Sequence, residues 1–257
     1  MSTQAGNFVP EQFKTLYELE SANFWFRARN SLILWALERY CPAARRMLEI
    51  GCGTGFVLSA IEAAHPQWDL TGSELLAEGA FYAAQRLKRA EVIQMNALHV
   101  PFADEFDAVG AFDVIEHVDD DEGVLREARK ALREGGALLV TVPQHAGLWS
   151  AADEFARHKR RYSRAELLAK LVRTGFRPAF CSSFVSLLYP AMLLSRAKRK
   201  RIEAFDPMDE FRIGPLANWA LEKIMTLERG LIRAGVRFAF GGSLLAVAYE
   251  NRTGSSR

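Results

Sequence analysis

A ten-residue stretch in the first quarter of the chain reads Met47-Leu48-Glu49-Ile50-Gly51-Cys52-Gly53-Thr54-Gly55-Phe56. Its apolar beginning predicts a buried strand, and the apolar residues over 56–61 predict a helix. Between them, three glycines stand at alternate positions. Because glycine has no Cβ and tolerates positive φ, such a turn lets the backbone approach a flat ligand closely. We therefore expect a strand, a ligand-binding turn and a helix in direct succession.

The spacing of the glycines distinguishes two kinds of nucleotide-binding turn. A dinucleotide-binding turn follows G-x-G-x-x-G, in which the last glycine lets the helix pack closely on the strand. Here the third glycine, Gly55, comes one residue early, and Phe56 stands where that last glycine belongs. An acid, Glu49, also precedes the glycines. Both features disfavour a nicotinamide-dependent oxidoreductase.

Length and composition indicate a globular protein with a single α/β domain. The chain has 257 residues, of which 49% are hydrophobic and 25% charged, and its net charge of +2 excludes a strongly polyanion-seeking protein. The three cysteines, Cys41, Cys52 and Cys181, show neither a disulfide framework nor a metal-binding C-x-x-C spacing. The N-terminus lacks a signal-peptide pattern, and no apolar run reaches the roughly 18 residues of a membrane span. These features together predict a cytoplasmic protein.

Strands and helices alternate along most of the chain after a helical region over 9–40. Such alternation predicts a doubly wound α/β sheet with ligands at the carboxyl ends of its strands. The helix over 120–133 is expected to end in a left-handed cap at Gly135-Gly136. A helical, basic and aromatic segment then precedes a last strand at 242–249. We divide this single domain into an N-terminal helical cap (1–42), a ligand-binding core (43–184), a helical insertion (185–237), and the last strand with the tail (238–257).

The segment Glu49–Gly55 resembles the first motif of class I S-adenosylmethionine (SAM)-dependent methyltransferases. Three later segments, at 74, 96–97 and 112–118, match that family in order and spacing, as does the turn at 132–138. The resemblance implies a Rossmann-like seven-stranded sheet with a final antiparallel strand, with SAM as cofactor and S-adenosylhomocysteine as product. It assigns the cofactor contacts to Glu49, Gly51, Cys52, Gly53, Gly55, Glu74, Asn96, Ala97 and Phe112.

One of these assignments, Glu74, has an alternative explanation, and another, Asn96, departs from the family pattern. In the family, the acid at the position of Glu74 accepts hydrogen bonds from both ribose hydroxyls, but a carboxylate at a helix start is also stabilised by the helix dipole alone. Asn96 departs from the aspartate that is usual at its position. Its side-chain oxygen is still able to accept a hydrogen bond from the adenine amine.

A more specific resemblance lies outside that core. Phe24-Trp25-Phe26-Arg27-Ala28-Arg29-Asn30 and the stretch over 148–162 are similar to segments of bacterial small-molecule methyltransferases of the quinone O-methyltransferase kind. This resemblance implies that Arg29 binds the carboxylate of SAM, since a guanidinium offers hydrogen-bond donors in a fixed planar arrangement. A surface cation on an aromatic helix is the alternative for Arg29.

Transfer of a methyl group to a hydroxyl also requires a group that takes the proton, and histidine is the usual one. The candidates for this group are His117 and His145, and a structural role or packing beside the adenine is the alternative for His117. His158 and Tyr162 are further candidate catalytic residues that face the acceptor, with a solvated turn as the alternative for their basic segment. Some quinone-type relatives bind a divalent metal through an acid-x-x-Glu-His cluster, which Asp113, Glu116 and His117 resemble. Most proteins with that string bind no metal, and we expect none here.

The segment 184–201 combines an apolar stretch with the basic run Arg196-Ala197-Lys198-Arg199-Lys200-Arg201. An apolar helix face beside lysine and arginine is typical of an interfacial helix that contacts anionic lipid at the inner face of the membrane. A lid over the substrate site with a solvated basic end is an equal alternative. Nucleic acid is disfavoured by the near-neutral net charge and the lack of an RNA-binding module.

From these observations we expect a SAM-dependent methyltransferase that acts on a small molecule, through an oxygen nucleophile on an apolar or lipid-like acceptor. A soluble sugar or secondary-metabolite methyltransferase is the enzymatic alternative. A SAM-binding partner protein without catalysis is the alternative from another class.

Overall fold

The computed structural model describes the backbone of residues 10–199 and 213–251, and the side chains of 13–195 and 213–251. A seven-stranded sheet forms its centre, in the order β3-β2-β1-β4-β5-β7-β6. Strands β1 to β5 pair in parallel, and β7 runs antiparallel to both of its neighbours. The strands are β1 (Arg46–Ile50), β2 (Asp69–Glu74), β3 (Glu91–Gln94), β4 (Phe106–Phe112), β5 (Leu132–Pro143), β6 (Phe176–Phe184) and β7 (Ser243–Glu250). This order confirms the predicted Rossmann-like sheet.

Helices cover both faces of the sheet, which is why its central strands are apolar at consecutive positions. Met47 of β1 faces one core cluster together with α2 and α3, whereas its neighbour Leu48 faces the other together with α5 and α7. The helices are α1 (Pro10–Leu19), α2 (Phe24–Tyr40), α3 (Phe56–Ala64), α4 (Ala77–Arg86), α5 (Asp121–Ala131), α6 (Ala151–Phe155), α7 (Arg164–Arg173), α8 (Tyr189–Arg199) and α9 (Pro215–Arg233).

The strand order changes direction at β1, which lies between β2 and β4. In an open sheet of parallel strands, ligands bind at such a switch point, beyond the carboxyl ends of the strands. The three-glycine turn follows β1 at this position. The fold therefore places the predicted ligand-binding turn where the sheet leaves a crevice.

One predicted boundary was wrong. Helix α5 ends at Ala131, with Leu132 as an extended C-cap, and not in a left-handed cap at Gly135. Leu132 is fully buried and pairs with Phe106 of β4, so packing draws the chain into the sheet and ends the helix two residues before the predicted end at residue 133. Gly135 does have a φ of 72°, but it lies within β5, next to the irregularity in the β4–β5 pairing.

The segment between β6 and β7 contains α8 and α9, in agreement with the predicted helical insertion. Helix α9 packs on α2: Asn218 accepts a hydrogen bond from the backbone N–H of Phe24 (2.8 Å), and Glu222 pairs with Arg27 (2.7 Å). Lys200 and Arg201 of the predicted basic run lie outside the described residues. Within the described part of the chain, every helix is too short or too polar to cross a membrane.

Candidate active site

The turn after β1 is built on three glycines with positive φ. Gly51, Gly53 and Gly55 have φ values of 67°, 54° and 74°, which residues with a Cβ adopt only rarely. A Cβ on Gly51 would lie 2.6 Å from a methyl carbon of Val114, and one on Gly55 would lie 3.1 Å from the Cα of Ala83. A Cβ on Gly53 would meet no atom within 4 Å. Gly51 and Gly55 therefore let the turn pack against the protein, whereas Gly53 leaves the space in front of the turn open.

Two carboxylates lie beside the turn, of which Glu49 is buried and Glu74 is half-buried. Glu49, at the end of β1, is 2% exposed, and its Oε2 has no hydrogen-bond partner among the described residues. Burial raises the pKa of Glu49 to about 8, against the opposing charge of Arg29. At the end of β2, Glu74 accepts hydrogen bonds from the backbone N–H groups of Gly53 and Leu76, both at 3.0 Å. Burial also raises the pKa of Glu74, and these two hydrogen bonds oppose the shift.

These groups open onto a cleft of about 850 Å³, a volume typical of small-molecule sites. The cleft brings together most of the residues predicted to bind the cofactor, and one predicted catalytic residue. It is lined by Arg29, Glu49, Gly51, Cys52, Gly53, Glu74, Asn96, Ala97, Phe112 and His117. Gly55 does not line it, because that glycine packs against α4.

Arg29 lies on α2 and points into the cleft, where it pairs with Asp113. Its guanidinium also lies 4.8 Å from the ring centre of Trp25. The residue is 8% exposed, which excludes the surface-cation alternative. Asn96 lines the cleft as well, and its side-chain oxygen accepts a hydrogen bond from the backbone N–H of Leu98 (2.9 Å).

Helix α1 also contributes to the cleft, which the sequence reading did not predict. Phe13 and Leu16 of α1 line it, together with Glu20, which follows the helix. The apolar spacing of this segment predicts a helix but not the surface on which the helix docks. Aromatic Phe26 of α2 and Arg157, from the loop after α6, were also missed as lining residues.

Glu20 ties this N-terminal region to the glycine turn. Its carboxylate accepts hydrogen bonds from the hydroxyl of Thr54 (2.5 Å) and from Arg86 (2.6 Å), and the Glu20 side chain is only 7% exposed. Arg86 of α4 also donates a hydrogen bond to the backbone carbonyl of Tyr17 (2.9 Å), and its guanidinium lies 4.2 Å from the centre of the Tyr17 ring. A buried ion pair therefore contributes to holding α1 over the cleft, beside the ring contact of Tyr17 with Tyr82 of α4.

A histidine pair lies at another part of the cleft wall. The rings of His117 and His158 meet edge to face, with centroids 4.8 Å apart. His117 lines the cleft and His158 does not. Together with the buried carboxyl of Glu116, the two rings present ligand atoms that lie within 4.8 Å of one another.

The other two candidate catalytic residues lie away from the cleft. Tyr162 is fully buried, and its hydroxyl donates a hydrogen bond to Asp121 (2.7 Å). Burial and this carboxylate raise the pKa of Tyr162 well above its usual range. His145 packs in an aromatic cluster on the rings of Phe240 (5.7 Å) and Tyr189 (5.4 Å). His145 follows the end of β5 by two residues, and this proximity in sequence did not show which way its side chain turns.

Comparisons with known proteins agree with this geometry. Residues 48–140 match the methyltransferase domain family. A probable S-adenosylmethionine-dependent methyltransferase of Mycobacterium tuberculosis is 31% identical over 166 residues, which cover 63% of this chain and 59% of that protein. A ubiquinone biosynthesis O-methyltransferase of Psychrobacter arcticus is 29% identical over 107 residues, or 38% of this chain and 41% of that protein. The chain thus spans less than two thirds of the length of these relatives.

A solved structure supports the fold over almost the whole chain. Phosphoethanolamine N-methyltransferase 2 of Haemonchus contortus, in complex with S-adenosyl-L-methionine, superposes with a TM-score of 0.61 at 19% identity. The superposition covers 95% of this chain and 58% of that chain.

The residues of the cleft fit SAM as a cofactor. The open space at Gly53 gives a flat ligand access to the backbone, and the unpartnered oxygen of Glu49 suits a cationic group. Arg29 suits a carboxylate, and Glu74 suits ribose hydroxyls. Residues 48–140 thus match a methyltransferase domain, and the chain is similar in sequence and in fold to SAM-dependent methyltransferases.

Proposed function

We propose that this chain transfers the methyl group of SAM to an oxygen atom of a small apolar or lipid-like molecule. The observation that carries this proposal is the placement of His117 in the same cleft as the glycine turn. Around it, the cleft is lined by apolar side chains that suit an apolar acceptor, among them Leu16, Phe26, Val114 and Val118.

Bound SAM supplies an electrophilic methyl group, so the chain has to orient the acceptor, exclude water and take the hydroxyl proton. Burial and the neighbouring ring of His158 lower the pKa of His117 to about 4. At neutral pH the His117 ring is therefore unprotonated and has a lone pair for the proton of the acceptor. The name of the Psychrobacter relative, an O-methyltransferase, also favours oxygen as the accepting atom.

The test uses SAM with a labelled methyl group and simple catechols or hydroquinones as oxygen acceptors. We expect label on the acceptor oxygen, and a loss of about 100-fold or more in rate for His117→Gln. His65→Gln is the matched control, because His65 does not line the cleft and stacks on Trp68. Label found only on sugar hydroxyls would favour the sugar methyltransferase, and SAM binding without transfer to any acceptor would favour a non-catalytic partner protein.

We further propose that the protein is cytoplasmic and contacts the inner face of the membrane through 184–201. Leu187, Leu193 and Leu194 are 39%, 43% and 66% exposed, and none of them lines the cleft. Their position outside the cleft favours the membrane over the lid. The basic run at 196–201 follows them in the sequence and supplies the charge that anionic lipid attracts.

Sedimentation with vesicles tests this contact. Binding should rise with the fraction of anionic lipid and fall with salt, since each basic residue near the surface adds about 1 kcal/mol that ions screen. Leu194→Gln should weaken it. Phe81→Gln is the control, because Phe81 is 58% exposed on α4, outside this segment. A protein that stays in the supernatant with anionic vesicles at low salt would contradict the proposal.

A further inference from the structure

Asp153 is a buried anchor in the segment that follows β5. Its side chain is fully buried, and its carboxylate accepts hydrogen bonds from Arg161 (2.7 and 3.0 Å), from the backbone N–H of Ser150 (2.9 Å) and from the ring of His158 (2.8 Å). Although burial opposes it, the hydrogen bonds from His158 and Arg161 lower the pKa of Asp153 to about 2. Asp153 is therefore ionised and acts only as an acceptor.

An ionised Asp153 fixes the ring of His158. Because a carboxylate only accepts, the Nδ1 of His158 has to carry a proton, and this hydrogen bond sets the orientation of the ring. The other ring nitrogen, Nε2, then lies 4.0 Å from Oε1 of Glu116. Because the ring of His158 is fixed, its edge-to-face contact with the ring of His117 is fixed as well.

The groups around His117 act on its protonation in opposite directions. Burial and His158 disfavour the protonated ring, whereas Asp113 and the backbone carbonyls of Ala156 and Arg157 favour it. Glu116 is completely buried, and both of its carboxyl oxygens lack a hydrogen-bond partner among the described residues. Burial raises the pKa of Glu116 well above its usual range, which favours the neutral form of this carboxyl beside the two rings.

We propose that Asp153 and His158 are positioning residues for His117: Asp153 locks the ring of His158, and that ring holds His117 in one orientation and in its unprotonated form. The proposal rests on the role of His117 as proton acceptor in the proposed function. It extends the site to two residues that do not line the cleft. Its consequence is that methyl transfer persists at mildly acidic pH, at which an ordinary histidine would be protonated.

The test follows the ring signals of His117 by NMR as pH is lowered, which needs neither an acceptor nor turnover. In the unmodified chain the midpoint of His117 should lie near 4. His158→Gln removes the opposing ring, and the midpoint should rise on the order of one pH unit. Asp153→Asn weakens the contact that fixes the ring of His158, because a neutral amide oxygen replaces the charged acceptor, and the midpoint should move in the same direction. His65→Gln is the control and should leave it in place.

Calorimetry with SAM checks that each variant keeps its cofactor site, and His158→Gln provides a readout should Asp153→Asn fail to fold. A midpoint near 6.5 in the unmodified chain, or an unchanged midpoint in His158→Gln at full SAM affinity, would overturn the proposal. Failure of the proposed function has a different signature, namely no transfer to oxygen while the His117 titration behaves as stated.

Discussion

At the scale of single residues, the three glycines after β1 have different tasks although they share a positive φ. Gly51 and Gly55 lack space for a side chain because Val114 and Ala83 pack against them. At Gly53 a side chain would have space, but that space is part of the cleft. The sequence motif predicted the turn but not this division, since the division depends on which strand and helix pack on each glycine. Of the three glycines, only Gly53 therefore allows a substitution that tests ligand access without a clash with a packed neighbour.

Gly53→Val should abolish SAM binding, because a branched side chain would fill the open space at the turn. Valine at the positive φ of this position also adds a strain of roughly 1–2 kcal/mol to the fold. Gly135→Val is the matched control, since Gly135 also has a positive φ and open space but does not line the cleft. Both variants should lose similar stability in a urea titration, and only Gly53→Val should lose SAM binding in calorimetry. Equal affinities would show that the cofactor lies elsewhere.

Glu49 should couple SAM binding to pH. Its pKa of about 8 means that it is mostly protonated at pH 7 in the free protein. The positive charges of SAM favour the ionised form, so binding should release a proton, and affinity should rise as the pH increases towards 8. Calorimetry in buffers of different ionisation enthalpy measures the released proton. Glu49→Gln should remove the release, and proton uptake on binding would contradict the assignment.

The sequence predicted the placement of the proposed cofactor-binding residues at the cleft better than that of the candidate catalytic residues. Glu49 and Glu74 end their strands, and the carboxyl ends of parallel strands meet at the same edge, so local pattern was sufficient there. His145 also lies near a strand end, yet its side chain joins an aromatic cluster, and Tyr162, just before α7, is buried against Asp121. Where a side chain turns after the strand ends depends on packing partners distant in sequence.

At the scale of elements, helix α1 is the part of the site whose position at the cleft could not be predicted from the sequence. Its attachment depends on Arg86 of α4, which lies far away in the chain and carries no motif. In the same way, the end of α5 depends on the pairing of Leu132 with β4 and not on the glycines that follow it. Local preferences set the type of each element, and long-range contacts set its limits.

Glu20→Gln should loosen α1 over the cleft. The substitution removes a buried charge and leaves Arg86 without its partner, a loss of about 3–5 kcal/mol for a buried pair. We expect faster hydrogen exchange over 13–19 and faster release of SAM. Glu222→Gln is the control, because it breaks the more exposed pair with Arg27 and should leave exchange in α1 unchanged. Unchanged exchange in Glu20→Gln would show that α1 is held by its apolar contacts alone.

At the scale of the whole molecule, we propose that the sheet and the helical insertion fold as a single domain. Met225 and Ile232 of α9 are buried in the same core cluster as Met47 of β1 and Ala28 of α2. This shared core connects the insertion to the helix that carries Arg29 into the cleft. A common core predicts a common unfolding transition.

Met225→Ala should therefore lower the free energy of unfolding of the entire chain by about 2–5 kcal/mol. Leu227→Ala on the same helix should change it by less than about 0.5 kcal/mol, because Leu227 is 61% exposed while Met225 is 4% exposed. Far-ultraviolet circular dichroism and tryptophan fluorescence should report one transition for both variants. Two separate transitions would mean that the insertion folds as its own unit.

The connection between β6 and β7 has an evolutionary consequence. Phe184 and Ser243, at the two ends of the insertion, are paired neighbours in the sheet, so a chain of any length between them leaves every strand in register. Lengthening such a connection costs little entropy, about 0.6 kcal/mol for each doubling. Evolution can thus change the length of this segment where it lies outside the shared core, without shifting the strands or the glycine turn on the far side of β4 and β5.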